Sequence, residues 1–265
     1  VSPLIFALLY FSKPVNAGFQ TLGNLRYDPW LFKRMIRFGL PSGLHWFLDV
    51  AAFTIFVLLV GRMGPIAHIA SNIALSINLI AFMPMIGMGM AASILVGQYL
   101  GRNQPDHAGK VGWLALRIGM GYVVFISASF LLFPGLYTNV FEGDAASSVP
   151  FPELLKAVRI LLAMLAVWGI ADAIAIIFSG ALKGAGDTHF VMYFQSAVAW
   201  GFLVPGQVLI VLALKLNVYI SWAWTLLYIV ILGVGFTLRF RSNRWKSIDL
   251  LDRRASVAEN IPMER

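Results

Sequence analysis

The sequence predicts an all-α integral membrane protein with six complete transmembrane helices, and its composition and charge pattern are the observations that predict it. Hydrophobic residues make up 59% of the 265 residues and charged residues 12%, whereas soluble domains carry about 25% charged residues. The mean hydropathy is +0.80. Charged residues divide the chain into apolar stretches of about 20 residues, the length that crosses a bilayer. There are no cysteines, which excludes disulfides and thiolate metal sites.

The first 38 residues predict two segments that precede the helical lobe. Residues 1–12 contain the apolar run LIFALLYF, which predicts the remnant of a preceding transmembrane helix. The chain begins with Val, so we expect the sequence to be incomplete at this end. Residues 13–38 form a basic connector, in which DPWLFKRMIRF predicts a short amphipathic helix in the membrane interface. An ordinary loop is the alternative for that segment.

The lobe itself is predicted over residues 39–240, beginning with spans at 40–62 and 68–99. Pro41 suits the first turn of the first span, because that position needs no backbone N–H. The second span lies in a run without any Asp, Glu, Lys or Arg. Two crossings there would place the later basic segments opposite the basic connector, so the charge pattern favours one long helix bent at Pro84.

Four further spans complete the lobe, and a basic tail over 241–265 follows it. A turn-rich acidic stretch over 135–153 separates the third span from the fourth. The predicted bounds of the four spans are 112–134, 154–182, 190–214 and 218–238.

The junction between the fourth and fifth spans carries both packing and capping signals. Gly180 and Gly184 are spaced four residues apart, a pattern that is typical of close helix packing in membranes. Gly184 and Gly186 suit the C-terminal cap of the fourth span. Asp187 suits the N-cap of the fifth.

The distribution of Lys and Arg predicts the orientation in the membrane. Only Arg62 and Lys215 fall on one side, with Lys156 and Arg159 near its edge. The other side is therefore predicted to be cytoplasmic, with both the connector and the C-terminus on it, in a multi-pass protein of the plasma (inner) membrane. The net charge of +8 matches cytoplasmic loops rich in Lys and Arg. The predicted partner is therefore the lipid bilayer, and no nucleic-acid partner is predicted. The basic segments on the cytoplasmic side are 13–38, 100–111, 183–189 and 239–246.

Two carboxylates lie inside the predicted spans, where a charge costs about 2.5–3.5 kcal/mol on insertion scales. Asp49 lies eight residues from Pro41, about 12 Å along a helix, and Asp172 lies eleven residues from Lys183, about 16 Å. Both acids are therefore predicted at similar depth, where they can share a proton or hold a small cation such as Na⁺. In the alternative, each Asp bonds separately to Ser, Asn, Trp or backbone and only ties helices together.

Three polar residues are weaker candidates for the same site. Trp168 lies one turn before Asp172 and can donate its indole N–H to the carboxylate, or simply pack. Asn72 and Asn78 lie on the second span, where they can add oxygen ligands or make structural bonds between helices. No metal is predicted beyond Na⁺ at Asp49 and Asp172.

Apolar residues suggest where a substrate cavity would lie. Phe53, Phe82 and Met85 are the candidate lining, with packing against lipid or core as the alternative. His45 is either a proton stepping stone or an interface histidine. The remaining histidines have no metal spacing, and no nucleophile signature is present, so an enzyme is not predicted.

Three motifs resemble the C-terminal half of the NorM-like MATE (multidrug and toxic compound extrusion) transporters. They are GLPSG at 39–43 opening a span that contains Asp49, FMP at 82–84 followed by VGQYLG at 96–101, and SGALKGAGDT at 179–188. The resemblance implies a xenobiotic transmembrane transporter that exports organic, often cationic, drugs by antiport with Na⁺ or H⁺. It also places Asp49 and Asp172 at the family's membrane-embedded acidic positions and implies no cofactor beyond the coupling ion.

The resemblance further implies twelve helices in two six-helix lobes, so this chain would be one lobe and its partner the missing N-terminal lobe. One departure concerns Trp168, where some NorM-like members carry Tyr, because Trp can donate but not accept a hydrogen bond. Two alternatives are a lipid-linked oligosaccharide flippase of related fold and a non-transporting membrane scaffold. The flippase would need several cations deep in the spans, and the sequence shows none there.

Overall fold

A computed structural model describes residues 29–138 and 150–248, which are helical apart from short connections. The described residues contain no β-strand. The predicted remnant over 1–12, most of the connector, and the tail from residue 249 onward lie outside the described residues. The helices are α1 (Pro29–Gly61), α2 (Pro65–Gly101), α3 (Pro105–Leu132), α4 (Pro134–Thr138), α5 (Phe151–Gly184), α6 (Thr188–Ala213) and α7 (Val218–Arg241), followed by a 3₁₀ turn (Arg244–Ser247).

Within residues 29–138 and 150–248, six helical segments are long and apolar enough to cross a membrane, which confirms the predicted number. They are Gly39–Gly61 of α1, Pro152–Gly184 of α5, and the whole of α2, α3, α6 and α7. The charge-free run is one helix, α2, as the charge argument predicts, and Pro84 lies inside it. Helix α3 begins at Pro105 rather than near residue 112, so the sequence underestimates its length.

Proline positions explain several of the helix starts. Helices α2, α3 and α5 each have proline at their first or second position, where a missing N–H leaves no carbonyl unpaired. The prediction for Pro41 is wrong, because this residue lies inside α1 rather than in the first turn of a helix. A proline there has a helical φ but removes one backbone hydrogen bond from the helix.

The chain divides into two compact units, Val1–Leu40 and Pro41–Arg265. Of the first unit, the structure describes residues 29–40, which are helical. The packing and the site discussed below belong to the second unit.

Helix α5 is the central helix of the second unit and packs against α2, α3 and α7. Gly180 and Gly184 bring it into direct backbone contact with α2. A Cβ atom at Gly180 would overlap the carbonyl of Gly89, and one at Gly184 would overlap the carbonyl of Ser93. This is the close approach that small residues permit between membrane helices.

Helix α6 is irregular, although the sequence predicts an ordinary span. Its two α-helical parts, Thr188–Val198 and Val204–Val208, are each followed by a π-helical segment, Ala199–Leu203 and Leu209–Ala213. Pro205 cannot donate a backbone hydrogen bond, and a wider turn accommodates that gap. The indole of Trp224 on α7 donates to the Phe202 carbonyl at 3.2 Å, so a carbonyl of the irregular turn is satisfied from the neighbouring helix.

The junction between α5 and α6 follows the predicted capping glycines but not the predicted N-cap. Gly186 has φ of 83°, which glycine adopts without strain. Asp187 occupies the N-cap position, yet its side chain does not cap α6. The carboxylate instead accepts from Arg239 Nε at 2.7 Å and Nη2 at 3.2 Å, tying the start of α6 to the end of α7.

Candidate functional site

A cavity of about 230 Å³ lies between helices α1, α2, α5, α6 and α7. Pockets for drug-sized ligands measure about 300–1,000 Å³. The cavity of this chain therefore suits an ion with its water, or part of a larger ligand. Its polar lining residues are His45, Trp46, Asp49, Ser93, Asp172, Ser179, Lys183, Gln195 and Tyr228, and its apolar ones include Phe82, Ile86, Met90, Ile176, Ile229, Leu232 and Phe236.

The two intramembrane carboxylates meet at this cavity. Asp49 comes from α1 and Asp172 from α5, and both residues are half-buried. Asp49 lies close enough for its charge to act on Asp172. Since no Asp or Glu other than these two lines the cavity among the described residues, negative charge is concentrated at one place in an otherwise apolar interior.

Each carboxylate has a hydrogen-bond donor. The Tyr228 hydroxyl on α7 donates to Asp49 Oδ1 at 3.1 Å. The indole N–H of Trp168, one turn before Asp172, lies beside the Asp172 carboxylate and is placed to donate to it. Trp222 packs on the Trp168 ring with centroids 5.8 Å apart, which fixes the orientation of that indole. The Asp49–Tyr228 bond also ties α1 to α7, as the structural alternative for the acids requires.

A line of polar side chains continues from Tyr228 across the cavity. Gln195 on α6 lies beside Tyr228 in the cavity wall. The Gln195 Oε1 atom lies 2.6 Å from His45 Nε2, and His45 Nδ1 lies 3.3 Å from Lys183 Nζ. The line therefore joins four helices and connects the ammonium of Lys183 to the carboxylate of Asp49.

The other sequence-predicted residues are divided between the cavity and its surroundings. Phe82 is part of the cavity wall, whereas Phe53, Met85, Asn72 and Asn78 are not. Met85 is 3% exposed because it packs in a buried cluster with Ala92, Val123, Ala173 and Ile177.

Asn72, Asn78 and Phe53 are the other three predicted residues that do not line the cavity. Asn72 is exposed and its Nδ2 lies 3.1 Å from His68 Nε2, one turn away on the same helix. Phe53 is 36% exposed and packs against Phe56 at 5.6 Å between ring centroids. Asn72 lies ten residues before Phe82 on α2, about 15 Å along the helix from the cavity wall. Phe53 follows Asp49 by one turn, yet it is not part of that wall.

Sequence reasoning misses Lys183, Gln195 and Tyr228. Lys183 ends a span, so it counts as a loop cation in the charge pattern. However, residues 172, 176, 179 and 183 are spaced four, three and four apart and share one helix face, which is the signal that places Lys183 with Asp172. Gln195 and Tyr228 give no comparable signal, because their partners lie on other helices.

No group of three or more His, Cys, Asp or Glu side chains converges as a metal site within the residues that the structure describes. The side-chain oxygen atoms at the cavity are those of the Asp49 and Asp172 carboxylates, the Gln195 amide, and the hydroxyl groups of Ser93, Ser179 and Tyr228. Such oxygen ligands suit a hard monovalent cation or a proton.

Comparison with known proteins agrees with this architecture. The chain is 29% identical over 170 residues to a probable multidrug resistance protein NorM of Brucella suis, a match that covers 64% of this chain and 36% of that protein. It is also 29% identical over 202 residues to a protein of the same name from Bradyrhizobium diazoefficiens, covering 76% of this chain and 42% of the relative. The chain thus matches less than half the length of these relatives.

Solved structures show the same fold at low identity. An outward-facing multidrug resistance MATE family transporter of the MOP superfamily superimposes with a TM-score of 0.77 at 16% identity, covering 91% of this chain and 53% of that one. A MOP superfamily transporter from Pyrococcus furiosus gives a TM-score of 0.66 at 16% identity, covering 77% and 44%. The MatE family model matches residues 41–209, more than half of the sequence. The chain therefore belongs to the MatE family and has the fold of about half of a MATE transporter.

Proposed function

We propose that this chain is one six-helix lobe of a secondary active antiporter, which exports organic, often cationic, drugs or metabolites in exchange for Na⁺ or H⁺. The observation that carries the proposal is the meeting of Asp49 and Asp172 at one cavity inside the membrane-spanning helices. Uncompensated carboxylates are costly at that depth. A bound cation offsets this cost, so the pair is suited to take up and release one.

The walls of the cavity support a role for a lipophilic substrate. Phe82, Met90 and Phe236 give the cavity apolar and polarisable surfaces beside the acids. An organic cation entering from the cytoplasm or the inner leaflet would contact these side chains and be attracted by the carboxylates. Na⁺ or H⁺ arriving from outside then competes for the same charge, or for the conformation that it favours, and this competition couples the two movements.

The incomplete coverage of the relatives bears on the transport cycle. Relatives named as multidrug resistance proteins extend beyond the part that this chain matches. Alternating access in such folds needs one helical repeat to move against another. We therefore propose that the chain works together with an N-terminal six-helix lobe, in the plasma (inner) membrane, with the connector and C-terminus in the cytoplasm.

A flippase for lipid-linked oligosaccharides is the second candidate, and it would need several cations in the cavity to meet a pyrophosphate. Lys183 is the only Lys or Arg on the described part of the cavity wall, and it faces two carboxylates. That balance favours a cationic rather than an anionic ligand. A non-transporting scaffold remains the third candidate, with the Asp49–Tyr228 bond as its structural support.

Transport in proteoliposomes separates these candidates. The chain, joined to an N-terminal MATE lobe, is reconstituted with a fluorescent organic cation inside, and efflux is followed under an imposed Na⁺ gradient or an imposed pH gradient. We expect one gradient to drive efflux, and Asp172→Asn to reduce it by a factor of about 100, because loss of one member of a buried charge pair costs about 2–5 kcal/mol.

Asp106→Asn is the matched control, because Asp106 is an exposed carboxylate at the start of α3. It should leave efflux unchanged. Unchanged efflux in Asp172→Asn would show that this carboxylate is structural. It would favour the alternative in which each Asp forms its own hydrogen bonds and only ties helices together. Absence of cation transport under either gradient, with a folded protein, would favour the flippase or the scaffold.

A further inference from the structure

Lys183 ends helix α5, but its ammonium group does not extend into the surrounding water. The residue is half-buried, and its Nζ atom lies 3.3 Å from His45 Nδ1 and 5.8 Å from the centre of the Trp46 ring. Lysine side chains at helix ends in membranes normally extend toward the interface. Here the cation is directed into the cavity that contains the acid pair.

A series of side chains connects Lys183 to Asp49, and in each hydrogen bond of the series the donor is the residue nearer to Lys183. Oε1 of Gln195 can only accept, so His45 Nε2 carries the hydrogen. Nδ1 of the neutral imidazole then accepts from the Lys183 ammonium. At the other end, Tyr228 donates to Asp49. The Gln195 amide lies beside the Tyr228 hydroxyl, and its free N–H₂ group is the one that can donate to the Tyr228 oxygen. Bonds aligned in this way polarise one another, with the positive end at Lys183 and the negative end at Asp49.

This line of bonds holds charges in place rather than conducting protons. The Gln195 amide carries neither a spare proton nor an ionisable one, so it cannot pass a proton from His45 to Tyr228. The side chains instead fix a charged amine and a charged carboxylate in the same cavity. The two carboxylates and one ammonium leave a single net negative charge, because His45 is neutral in this arrangement.

We propose that Lys183 is the resident cation of the acid cavity and limits it to one exogenous monovalent cation. The inference rests on the proposed function, since it assigns the capacity of the same site. Lys183 compensates one of the two carboxylates through His45, Gln195 and Tyr228. The incoming Na⁺ or H⁺ compensates the other, so the cavity becomes neutral only when one exchanged cation is bound.

Carbodiimide labelling measures whether Asp49 and Asp172 are accessible as protonated carboxyl groups, and it can be used whether the coupling ion is Na⁺ or H⁺. Dicyclohexylcarbodiimide modifies protonated carboxyl groups in apolar surroundings, and a bound Na⁺ protects them. The reconstituted two-lobe protein is labelled at fixed pH over a series of NaCl concentrations, and the modified peptides that contain Asp49 and Asp172 are quantified by mass spectrometry.

Removing the charge of Lys183 should strengthen the binding of any cation. In Lys183→Met we expect labelling without Na⁺ to be about tenfold faster, or half-protection at an about tenfold lower Na⁺ concentration. Lys183→Arg should behave like the unmodified protein because it keeps the charge. Lys183→Gln provides a second neutral variant if the Met variant does not fold. Lys156→Met is the matched control, since Lys156 is exposed at the opposite end of the same helix.

The outcomes distinguish the two proposals. Labelling of Asp49 and Asp172 that does not change when Lys183 is neutralised would overturn the role of Lys183 and leave the antiporter proposal standing. The role of Lys183 would also be overturned if Lys183→Arg, which keeps the charge, gave the result expected of Lys183→Met. If neither acid is labelled and Na⁺ has no effect in any variant, the cation site itself is overturned, and the role of Lys183 with it.

Discussion

At the scale of single residues, two ion pairs of this protein differ mainly in their burial. Asp187 and Arg239 join α6 to α7 with side chains that are 7% and 22% exposed, and the guanidinium also lies 4.7 Å from the Phe190 ring centre. Lys246 and Asp106 have side chains that are 26% and 85% exposed. Removing one partner of a buried pair leaves an uncompensated charge, whereas exposed pairs contribute little.

We predict that Asp187→Asn destabilises the protein by about 3 kcal/mol and that Asp106→Asn has a much smaller effect. The first substitution leaves the half-buried guanidinium of Arg239 without its carboxylate. Thermal unfolding in detergent, followed by circular dichroism, measures the difference. Equal shifts in the melting temperature of the two variants would show that burial does not decide the strength of these pairs.

The site residues illustrate what a sequence can show at this scale. Asp49 and Asp172 are identifiable because a charge in an apolar span is rare, and a constant rise per residue gives their depth. Trp168 is identifiable from its one-turn spacing to Asp172. Asn72 and Phe53 lie outside the cavity wall, although Phe53 is one turn from Asp49, because residue type and spacing do not show which neighbouring helix a side chain meets.

At the scale of the helices, the contact between α2 and α5 depends on glycine. A methyl group at Gly180 would overlap the backbone of Gly89, which cannot rotate away as a side chain would. We predict that Gly180→Ala destabilises the folded lobe by about 1–3 kcal/mol, as overpacking typically does. Melting temperature and the fraction of monodisperse protein in size-exclusion chromatography are the measurements.

Gly87→Ala is the matched control on α2, because a Cβ atom there meets nothing within 4 Å. Alanine favours helix by about 0.5–1 kcal/mol over glycine, so this variant should be as stable as the parent or slightly more so. A loss of stability in Gly87→Ala as large as that in Gly180→Ala would mean that the helix contact is not the cause.

The helices differ in how far the sequence predicts them. The single long helix α2 follows from charge, because two crossings would reverse the side of every later basic segment. The π-helical segments of α6 could not be predicted, since Pro205 is compatible with a kink, a break or a wide turn. The indole of Trp224, which satisfies the Phe202 carbonyl of α6, lies on a different helix.

At the scale of the whole molecule, the orientation can be tested directly, because the chain has no cysteines. Arg62 and Asn243 are exposed and lie in connections at opposite ends of the helices. With a membrane-impermeant maleimide on intact cells, we predict labelling of Arg62→Cys, and labelling of Asn243→Cys only after permeabilisation. The reverse pattern would place the C-terminus outside the cell.

Fold class and number of spans follow from the sequence because hydrocarbon forces every backbone group into internal hydrogen bonds, which leaves helices as the solution for apolar stretches of this length. The arrangement of the helices does not follow from that rule. Contacts such as that of His45 with Gln195, residues 150 positions apart, depend on which helix faces meet.

The glycine contact between α2 and α5 also bears on how the lobe can deform. Where two backbones touch, there is no intervening layer of side chains whose rotamers can change, so these two helices should move as one rigid body. Helix α6 has π-helical turns on both sides of Pro205, and such turns can shift their hydrogen-bond register with little loss of bonding. During alternating access we therefore expect the bending to be concentrated in α6, next to Gln195, while the α2–α5 pair keeps its geometry.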